Sequence, residues 1–595
     1  MRVLGITTEG DSGAALIEDG RIVAAVNEER LSRMKLVMGF PRGSIREVLD
    51  IAGARVSDLG AVLVADKRNV LIDQLMPFAG WEQLSQNGSG NRVKRAASRF
   101  SRLGNRLPIL QSGYYAMLAP TFRRRRETLL DILRNEFGVR SQIKFVDHHL
   151  AHIASAYYTS GFDDALVVSL DGGGDGLSAR VYAVRQGEFH LMHKVPAYHS
   201  LGNYYAYVTH LCGFKAMKHE GKITGLAAHG EPIFLPLLRD FVREQDGSFI
   251  NHAGVMFKAA VAELERRLPA DWRREDLAAS IQRHFEESVT SFVRYWARKT
   301  GLRDIAVAGG VFANVRVNEE VLALPEIDRI FVHPHMSDGG LGAGAALAAC
   351  VPGVLPGVME RDPRPMEDVY LGRDIEPSDI ERALTKHGLA PEQLHTPIEE
   401  AIASLLAQGF VVARAAGRME YGPRALGNRS ILYQPTDPSV NDWLNKNLHR
   451  TEFMPFAPAI LYDERNRCFE NIAGGELPAQ FMTITFHCTP WMRDHLQGVV
   501  HVDGTARPHL VLEDRNPGFY RIIEAFREIT GLPAIINTSF NMHGEPIVCS
   551  AEDAVRAFLT GDLDYLALGS SLIGHPQTRR RHRIPLTGAG EEAAH

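Results

Sequence analysis

Three short apolar runs open the chain. RVLGITTE ends at the turn Gly10-Asp11-Ser12-Gly13, and SGAALIED and RIVAAVNEE follow, joined by Asp19-Gly20. An Asp-Gly pair between apolar runs predicts a hairpin, because both residues tolerate the positive φ of a tight turn. The same grammar returns at DALVVSLDGGGDG, LSARVYAVRQG and EFHLMHKV: strand, glycine-and-acid turn, strand, Gln-Gly turn, strand. A recurrence after about 165 residues is too long for a solenoid, whose periods run about 20–50 residues. It predicts an α/β domain duplicated into two similar lobes. Helical spacing marks PRGSIREVLDIAG and RRETLLDILRNEFG between them.

Further along, a proline-rich stretch, VPGVLPGVMERDPRPMEDVYLG, cannot continue a helix and reads as a linker. A second unit follows, with a helix at EEAIASLLAQG, strands at FVVARAA, AILYD, QFMTITF and PAIINTS, and a helix at SAEDAVRAFLTG. The expected boundaries are 1–355, a linker at 356–372, 373–578, and a polar, flexible tail at 579–595.

Composition narrows the class of partner. The 595 residues carry a net charge of −5, which argues against nucleic acid or an anionic membrane as the main partner. Five cysteines without a CxxC pair support neither a disulfide framework nor a thiolate zinc site. No apolar run approaches the ~20 residues that span a bilayer, and no leader pattern precedes the first strand, so a cytoplasmic protein is expected. A solvated helix face accounts for the run Arg123 to Arg126.

The sharpest chemical signal is His148-His149-Leu150-Ala151-His152. On a helix His148 and His152 share a face and can chelate one ion, whereas His149 points elsewhere. Imidazoles suit zinc, iron, nickel or copper better than magnesium. Alone, the pair fits a buried, hydrogen-bonded couple equally well. Two aspartates at strand ends change that balance: Asp171 before Gly172-Gly173-Gly174, and Asp338 before Gly339-Gly340. Open α/β sheets bind ligands at such strand ends. The run GGLGAGAAL after Asp338 imitates a dinucleotide loop, but no strand with an acidic end follows, which excludes that reading.

Gly309-Gly310 with Asn314 offers backbone donors and a helix start to a nucleotide, and Lys222 in a polar loop could reach a phosphate. The second unit is richer. Arg424 and Arg429 flank glycines in EYGPRALGNRS, Arg450 and Arg507 follow, and Asn537 and Ser539 end the strand PAIINTS. Several guanidiniums in glycine-flanked loops make a phosphate pocket, since each can grip phosphate with two N–H groups.

Taken together, GITTEGDSGAAL, EERLSRMK, HHLAH, SLDGGGDG, EGKITGLAAHG, GGVFANVRVN, SDGGLGAGAAL, EYGPRALGNRS, HVDGTAR and NTSFNMHGEPIV resemble the NodU/CmcH-type O-carbamoyltransferases over nearly the whole chain. The resemblance implies an actin-like (ASKHA, ribonuclease-H-like) N-terminal domain and a YrdC-like α/β C-terminal domain. It implies that carbamoyl phosphate and ATP give carbamoyl adenylate in the rear domain. The carbamoyl group would then pass to a hydroxyl of a small natural product, as in antibiotic biosynthesis, in the front one. Carried over by motif, His148, His152, Asp171 and Asp338 would hold an iron-type divalent metal, with Mg2+ accompanying the nucleotide in the rear site. His148 and His152 would sit at the transfer site itself. Lys35, Gly309, Gly310 and Asn314 would contact the adenylate, and Arg424, Arg429, Arg450, Arg507, Asn537 and Ser539 would hold carbamoyl phosphate and ATP.

This chain departs from that family twice. Gly10 stands where the family usually has a histidine, leaving Asp11 as the candidate for the acceptor proton. Thr451, Glu452 and Met454 replace the usual residues after Arg450. Two other classes fit parts of the pattern: a sugar-kinase-like or tRNA-modifying enzyme on the same scaffold, and a nucleotide-gated binding protein. The second arginine-bearing unit argues against a kinase, the acidic balance against tRNA, and the histidine pair against a chaperone-like role. A lid for the acceptor at residues 80–130 competes with a plain surface helical insert. Oligomeric state leaves no mark in the sequence, with a homodimer the arrangement to test.

Overall fold

A computed structural model of the chain describes residues 1–67, 74–78, 109–356, 364–448 and 456–576. Arg450, the tail 579–595, and most of the segment expected to form a lid or insert lie outside the described residues.

The chain divides into two units, Met1–Glu28 with Leu36–Met366, and Glu29–Lys35 with Glu367–His595. In the first unit, β1 (Arg2–Thr7), β2 (Gly13–Glu18), β3 (Arg21–Asn27), β4 (Leu59–Ala65) and β5 (Gln142–Val146) form one sheet in the order β3-β2-β1-β4-β5. A second sheet comprises β6 (Ala165–Gly174), β7 (Leu177–Arg185), β8 (Glu188–Pro196), β9 (Asp304–Ala308) and β10 (Arg329–Val332), in the order β8-β7-β6-β9-β10. Both are built alike: an antiparallel meander of three strands whose first strand then pairs in parallel with the fourth, and the fourth with the fifth. This is the duplication expected from the hairpin grammar. The turns behave as their residues demand, with positive φ at Asp19 (50°) and Gly20 (79°), and again at Gln186 (50°) and Gly187 (76°).

Helices position what the strands present. The helix α1 (His148–Tyr158) starts at Asp147, whose side chain accepts from the Leu150 N–H (3.2 Å) and so caps an otherwise orphaned donor. The helix α2 (Leu341–Leu347) packs directly on α1. Any Cβ on its Gly344 would lie 2.2 Å from the Ala151 carbonyl oxygen. Gly344 of GGLGAGAAL therefore serves helix-to-helix approach, while Gly339 and Gly340 pack against His335.

The second unit is organised on a seven-stranded sheet. Its strands are β11 (Val412–Ala415), β12 (Arg429–Tyr433), β13 (Ala457–Leu461), β14 (His509–Val511), β15 (Ala534–Ser539), β16 (Tyr565–Leu568) and β17 (Ser571–Gly574), in the order β14-β13-β15-β12-β11-β16-β17. The helices α3 (Ile398–Ala407) and α4 (Pro517–Thr530) supply Ile402, Leu406, Phe519, Ile522 and Phe526 to a core with Val412, Leu432 and Ile535. Truncating one of these large side chains to alanine costs about 2–5 kcal/mol. The sequence sets both ends of α4. Asn516 caps it by accepting from the Phe519 N–H (3.2 Å), Pro517 opens it, and Gly531 ends it at φ 75°.

Two expectations change here. Of QFMTITF only its last residue is strand, in the pair Phe486–His487, because Met482 sits at φ 56° and the Pro478 carbonyl accepts from both Phe481 and Thr483, closing a turn. The segment Glu29–Lys35 belongs with the second unit. There Arg30 donates to the Gly422 carbonyl (2.7 Å), and Arg33 donates to the carbonyls of Pro546 and Ile547 (2.8 Å each).

Candidate metal centre and anion site

Helical spacing puts the rings of His148 and His152 on one face of α1, 4.8 Å apart between centroids. Asp171, late in β6, faces both: its Oδ2 lies 3.3 Å from His148 Nε2 and 3.1 Å from His152 Nε2. Asp338, in the turn Asp338–Gly340 beyond β10, completes the cluster with Oδ1 at 3.6 and 3.7 Å from the same nitrogens. One ligand atom from each of the four lies within 4.8 Å of every other. The approach depends on Gly174, where a Cβ would fall 2.1 Å from His148 Cγ.

Behind the cluster, His148 Nδ1 meets Asp66 Oδ1 at 2.8 Å, and the His148 backbone N–H donates to Asp175 (3.0 Å). With its Nδ1 proton held by Asp66, a neutral His148 presents only a lone pair at Nε2. Two imidazoles and two carboxylates then converge as acceptors, and Asp338 Oδ1 is buried with no hydrogen-bond partner among the described residues. A donor set of this kind fits a divalent cation, and a carboxylate behind a ligating histidine is the usual support for one. The electrostatics favour a positive charge in this cluster, carried by a proton or by a cation. Burial opposes a charge on His148, but Asp66 and Asp171 outweigh it and set its pKa well above the ordinary imidazole value. Burial would raise Asp171, yet the two imidazoles hold it well below the usual carboxylate range. His149 points away, with Nδ1 on Ser169 Oγ (2.8 Å), and burial holds it neutral.

Asp11 sits nearby in the same unit. Its Oδ2 lies 3.1 Å from His335 Nε2, and Asn27 Nδ2 donates to the carbonyls of both Asp11 and Gly339, the residue after Asp338. Gly309 (φ 104°) and Gly310 turn against β6, where a Cβ on Gly310 would lie 3.2 Å from Asp171 Oδ1.

Asn314 caps the helix Val315–Leu322, accepting from the Val317 N–H (3.3 Å), and donates to Gln282 (2.9 Å). Lys222 is on a helix, Glu220–Ala227, rather than a loop, with its ammonium 5.9 Å from the Phe214 ring centre. Lys35 belongs to the second unit, not to the one that carries the Gly309 turn.

In the second unit, Glu420 organises the arginine loop. Its Oε1 accepts from three backbone N–H groups, those of Leu426 (2.9 Å), Asn428 (2.8 Å) and Arg429 (3.0 Å). Arg429 is fully buried and spends its guanidinium on the carbonyls of Ala416, Gly417, Asn428 and Arg373. These bonds shape the loop, and Nε of Arg429 is buried without a hydrogen-bond partner among the described residues. Arg424 and Arg507 are different. Neither has a hydrogen bond or ion pair among the described residues, and Nε of each is buried without a partner. Burial lowers Arg424 to about 10; burial and the neighbouring Arg424 together hold Arg507 well below the ordinary value. Two half-buried guanidiniums with no carboxylate partner among the described residues are able to receive an anion. Asn537 donates to the Ala425 carbonyl (3.1 Å) from β15, and Ser539, paired with Ser430, ends that strand.

Sequence reasoning missed Asp66, Asp175, His335 and Glu420 as site residues. Asp66 did carry a signal: it ends the apolar strand LGAVLVA as Asp171 ends its own, at φ 74°.

The chain thus joins a duplicated sheet domain carrying a His2Asp2 cluster to a sheet domain with two arginines unpaired among the described residues. Residues 2–347 match the family description Carbamoyltransferase N-terminus, and residues 403–575 match Carbamoyltransferase C-terminus. The chain is similar to nodulation protein NolNO of Sinorhizobium fredii, 33% identical over 95% of this chain and 78% of that one. It is also similar to nodulation protein NolO of Bradyrhizobium diazoefficiens (35% identical, 72% of this chain, 78% of that one) and to nodulation protein U of Rhizobium tropici (26% identical, 95% of each). The chain belongs to the carbamoyltransferase family, of the NodU/CmcH type. No helix among the described residues is long and apolar enough to cross a membrane.

Proposed function

We propose that this protein is an O-carbamoyltransferase that activates carbamoyl phosphate with ATP in its second unit and delivers the carbamoyl group to a hydroxyl-bearing small molecule in its first. The observation that carries the reading is the presence of two clusters in one chain: four convergent ligand atoms in one unit, and in the other two arginines whose buried Nε atoms have no partner among the described residues.

In the second unit, proposed to be YrdC-like, Arg424 and Arg507 bind the phosphates, and the Glu420 and Arg429 hydrogen bonds hold their loop in place. The overall step balances with one water. Carbamoyl phosphate takes up water and releases inorganic phosphate; the carbamate oxygen then attacks the α-phosphorus of ATP, and pyrophosphate leaves. A buried site protects the labile carbamoyl species from hydrolysis.

In the first unit His148, His152, Asp171 and Asp338 would hold a divalent cation; imidazole ligands suit zinc, iron, nickel or copper, and the family resemblance points to iron(II) among them. When bound, such an ion supplies a Lewis acid for charge that develops on a carbonyl oxygen. Asp66 keeps His148 in the tautomer that offers Nε2. Asp11, held by His335, is the group placed to take the proton of the acceptor hydroxyl as it attacks the carbamoyl carbon and AMP departs. The test is direct: metal-loaded protein mixed with ATP and carbamoyl phosphate should yield carbamoyl adenylate and pyrophosphate. If neither forms, this function is wrong.

A further inference from the structure

Asp11 is buried in the turn between β1 and β2 at φ 85°, a conformation that residues with a side chain rarely adopt. Strain of this kind persists only where the surroundings impose it, and it gathers at functional sites. Here the backbone is fixed from two sides. The Val37 carbonyl accepts from the N–H groups of Asp11 (3.0 Å) and Ser12 (2.8 Å), and Asn27 Nδ2 donates to the Asp11 carbonyl (3.0 Å). The side chain is fixed separately. His335, 324 positions away in the stretch between β10 and the Asp338 turn, places its Nε2 3.1 Å from Asp11 Oδ2.

An ionised carboxylate only accepts, so the proton of that bond belongs to His335 Nε2. The imidazole then holds Oδ2 and leaves Oδ1 to other work, and a donor fixed on one oxygen also fixes the direction of the second. The same bond is packed against the candidate metal centre. A Cβ on Gly339 would fall 2.2 Å from His335 Nε2 and 2.5 Å from Asp11 Oδ2, and one on Gly340 would fall 1.9 Å from the His335 carbonyl oxygen. These two glycines let the turn that carries Asp338 lie directly on the Asp11–His335 bond. Asn27 closes the arrangement, since its Nδ2 donates to the Gly339 carbonyl (3.1 Å) as well as to that of Asp11. The carboxylate and the Asp338 turn are thereby held in one fixed relation.

We propose that His335 is a positioning residue for carbamoyl transfer, its Nε2–H holding Asp11 Oδ2 so that Oδ1 is the oxygen that takes the acceptor's proton. The inference rests on the proposed transfer reaction and names the group through which Asp11 acts. The hydroxyl oxygen bonds to the carbamoyl carbon, its proton passes to Asp11 Oδ1, and the bond from that carbon to the phosphate oxygen breaks, so that AMP leaves with the electron pair. Asp11 afterwards returns the proton to water. His335 keeps its own proton throughout and acts by aiming the base, a contribution that a misplacement of about 1 Å can reduce by about a hundredfold.

The experiment gives metal-loaded, full-length protein ready-made carbamoyl adenylate in aqueous methanol and follows AMP release and methyl carbamate, with water and methanol as the hydroxyl probes. D11N should be slower than the wild type by about 10²- to 10⁴-fold, the usual worth of a general base. H335M, of similar size but without a donor, should lose about ten- to a hundredfold in kcat with KM for the adenylate little changed. H335Q, whose amide restores an N–H, should recover most of that loss. The double variant D11N/H335M should be no slower than D11N, because His335 acts only through Asp11. A wild type no faster than D11N overturns the proposal. So does an H335M at the wild-type rate, an H335Q as slow as H335M, or a double variant whose loss is the product of the two single losses, as a merely structural role would give. If H335M does not fold, H335N, which keeps a donor but is too short to reach Oδ2, takes its place in the same cycle. Failure to release pyrophosphate from ATP and carbamoyl phosphate refutes the proposed function itself, whereas a protein that releases it and shows any of these contrary results refutes this assignment alone.

Discussion

His148 Nδ1 and Asp66 Oδ1 lie 2.8 Å apart, and both side chains are cut off from solvent. The two residues are separated by 82 positions, yet the bond between them decides which nitrogen His148 turns toward Asp171 and Asp338. Replacing Asp66 with asparagine keeps the shape and removes the charge. Support of this kind is worth about ten- to a hundredfold in metal affinity, and D66N should lose that much for Fe(II), Co(II) or Zn(II) in a competitive chelator titration. Unchanged affinity would mean that the carboxylate only fills space.

Gly174 gives a steric test of the same centre. A methyl at this position would overlap the His148 ring, with Cβ 2.1 Å from Cγ. Overpacking of this kind costs about 1–3 kcal/mol, so G174A should lower the denaturant midpoint and reduce metal stoichiometry together. A variant with full stability and one bound metal per chain would show that His148 has room to move.

The arginines of the second unit should separate by role. Arg429 is buried and donates to four backbone carbonyls, so R429A should be strongly destabilised, by about 3–5 kcal/mol, because those carbonyls lose a charged donor together. Arg424 has no partner to lose and stands beside another cation, so R424A should unfold no more easily than the wild type while losing phosphate affinity. Urea melts and phosphate titrations of the two variants check the contrast.

Much of this architecture is readable from the chain. The paired lobes follow from Asp19-Gly20 and Gln186-Gly187, because turn chemistry is local and sits next to the strands it joins. His148 and His152 are likewise legible, since four residues on a helix bring two side chains together whatever surrounds them. Asp66 was missed for the opposite reason: its partner lies on another element, and nothing within its own strand says which residue it meets. Asn314, Arg429 and Asn537 show a further limit. Sequence gives the type of a polar side chain but not whether its donors are already spent on a helix cap, a carbonyl or a loop. Only the structure separates Arg424 from Arg429, five residues apart in the same motif.

His284 links stability to pH. Burial, the largest effect on it, lowers its pKa to about 4, against about 6.5 for an unfolded histidine. Between those values the unfolded chain binds the proton that the folded chain refuses, so stability is present above about pH 6.5 and is lost as the pH falls toward 4. At about 1.4 kcal/mol per pH unit, going from pH 6.5 to 5 should cost the first unit about 2 kcal/mol through this group. H284F should flatten that part of the dependence in urea melts at the two pH values. An unchanged slope would place the effect on other groups.

The central claim, that one unit activates and the other transfers, is tested most directly by a crossed assay of H152A and R424A. Pyrophosphate release from ATP and carbamoyl phosphate is followed alongside carbamoylation of a hydroxyl acceptor. H152A should still release pyrophosphate and form carbamoyl adenylate while failing to carbamoylate the acceptor. R424A should fail at the first step yet transfer from carbamoyl adenylate supplied ready-made. If H152A stops adenylate formation, or R424A leaves it intact, the assignment of the two half-reactions to the two units is contradicted.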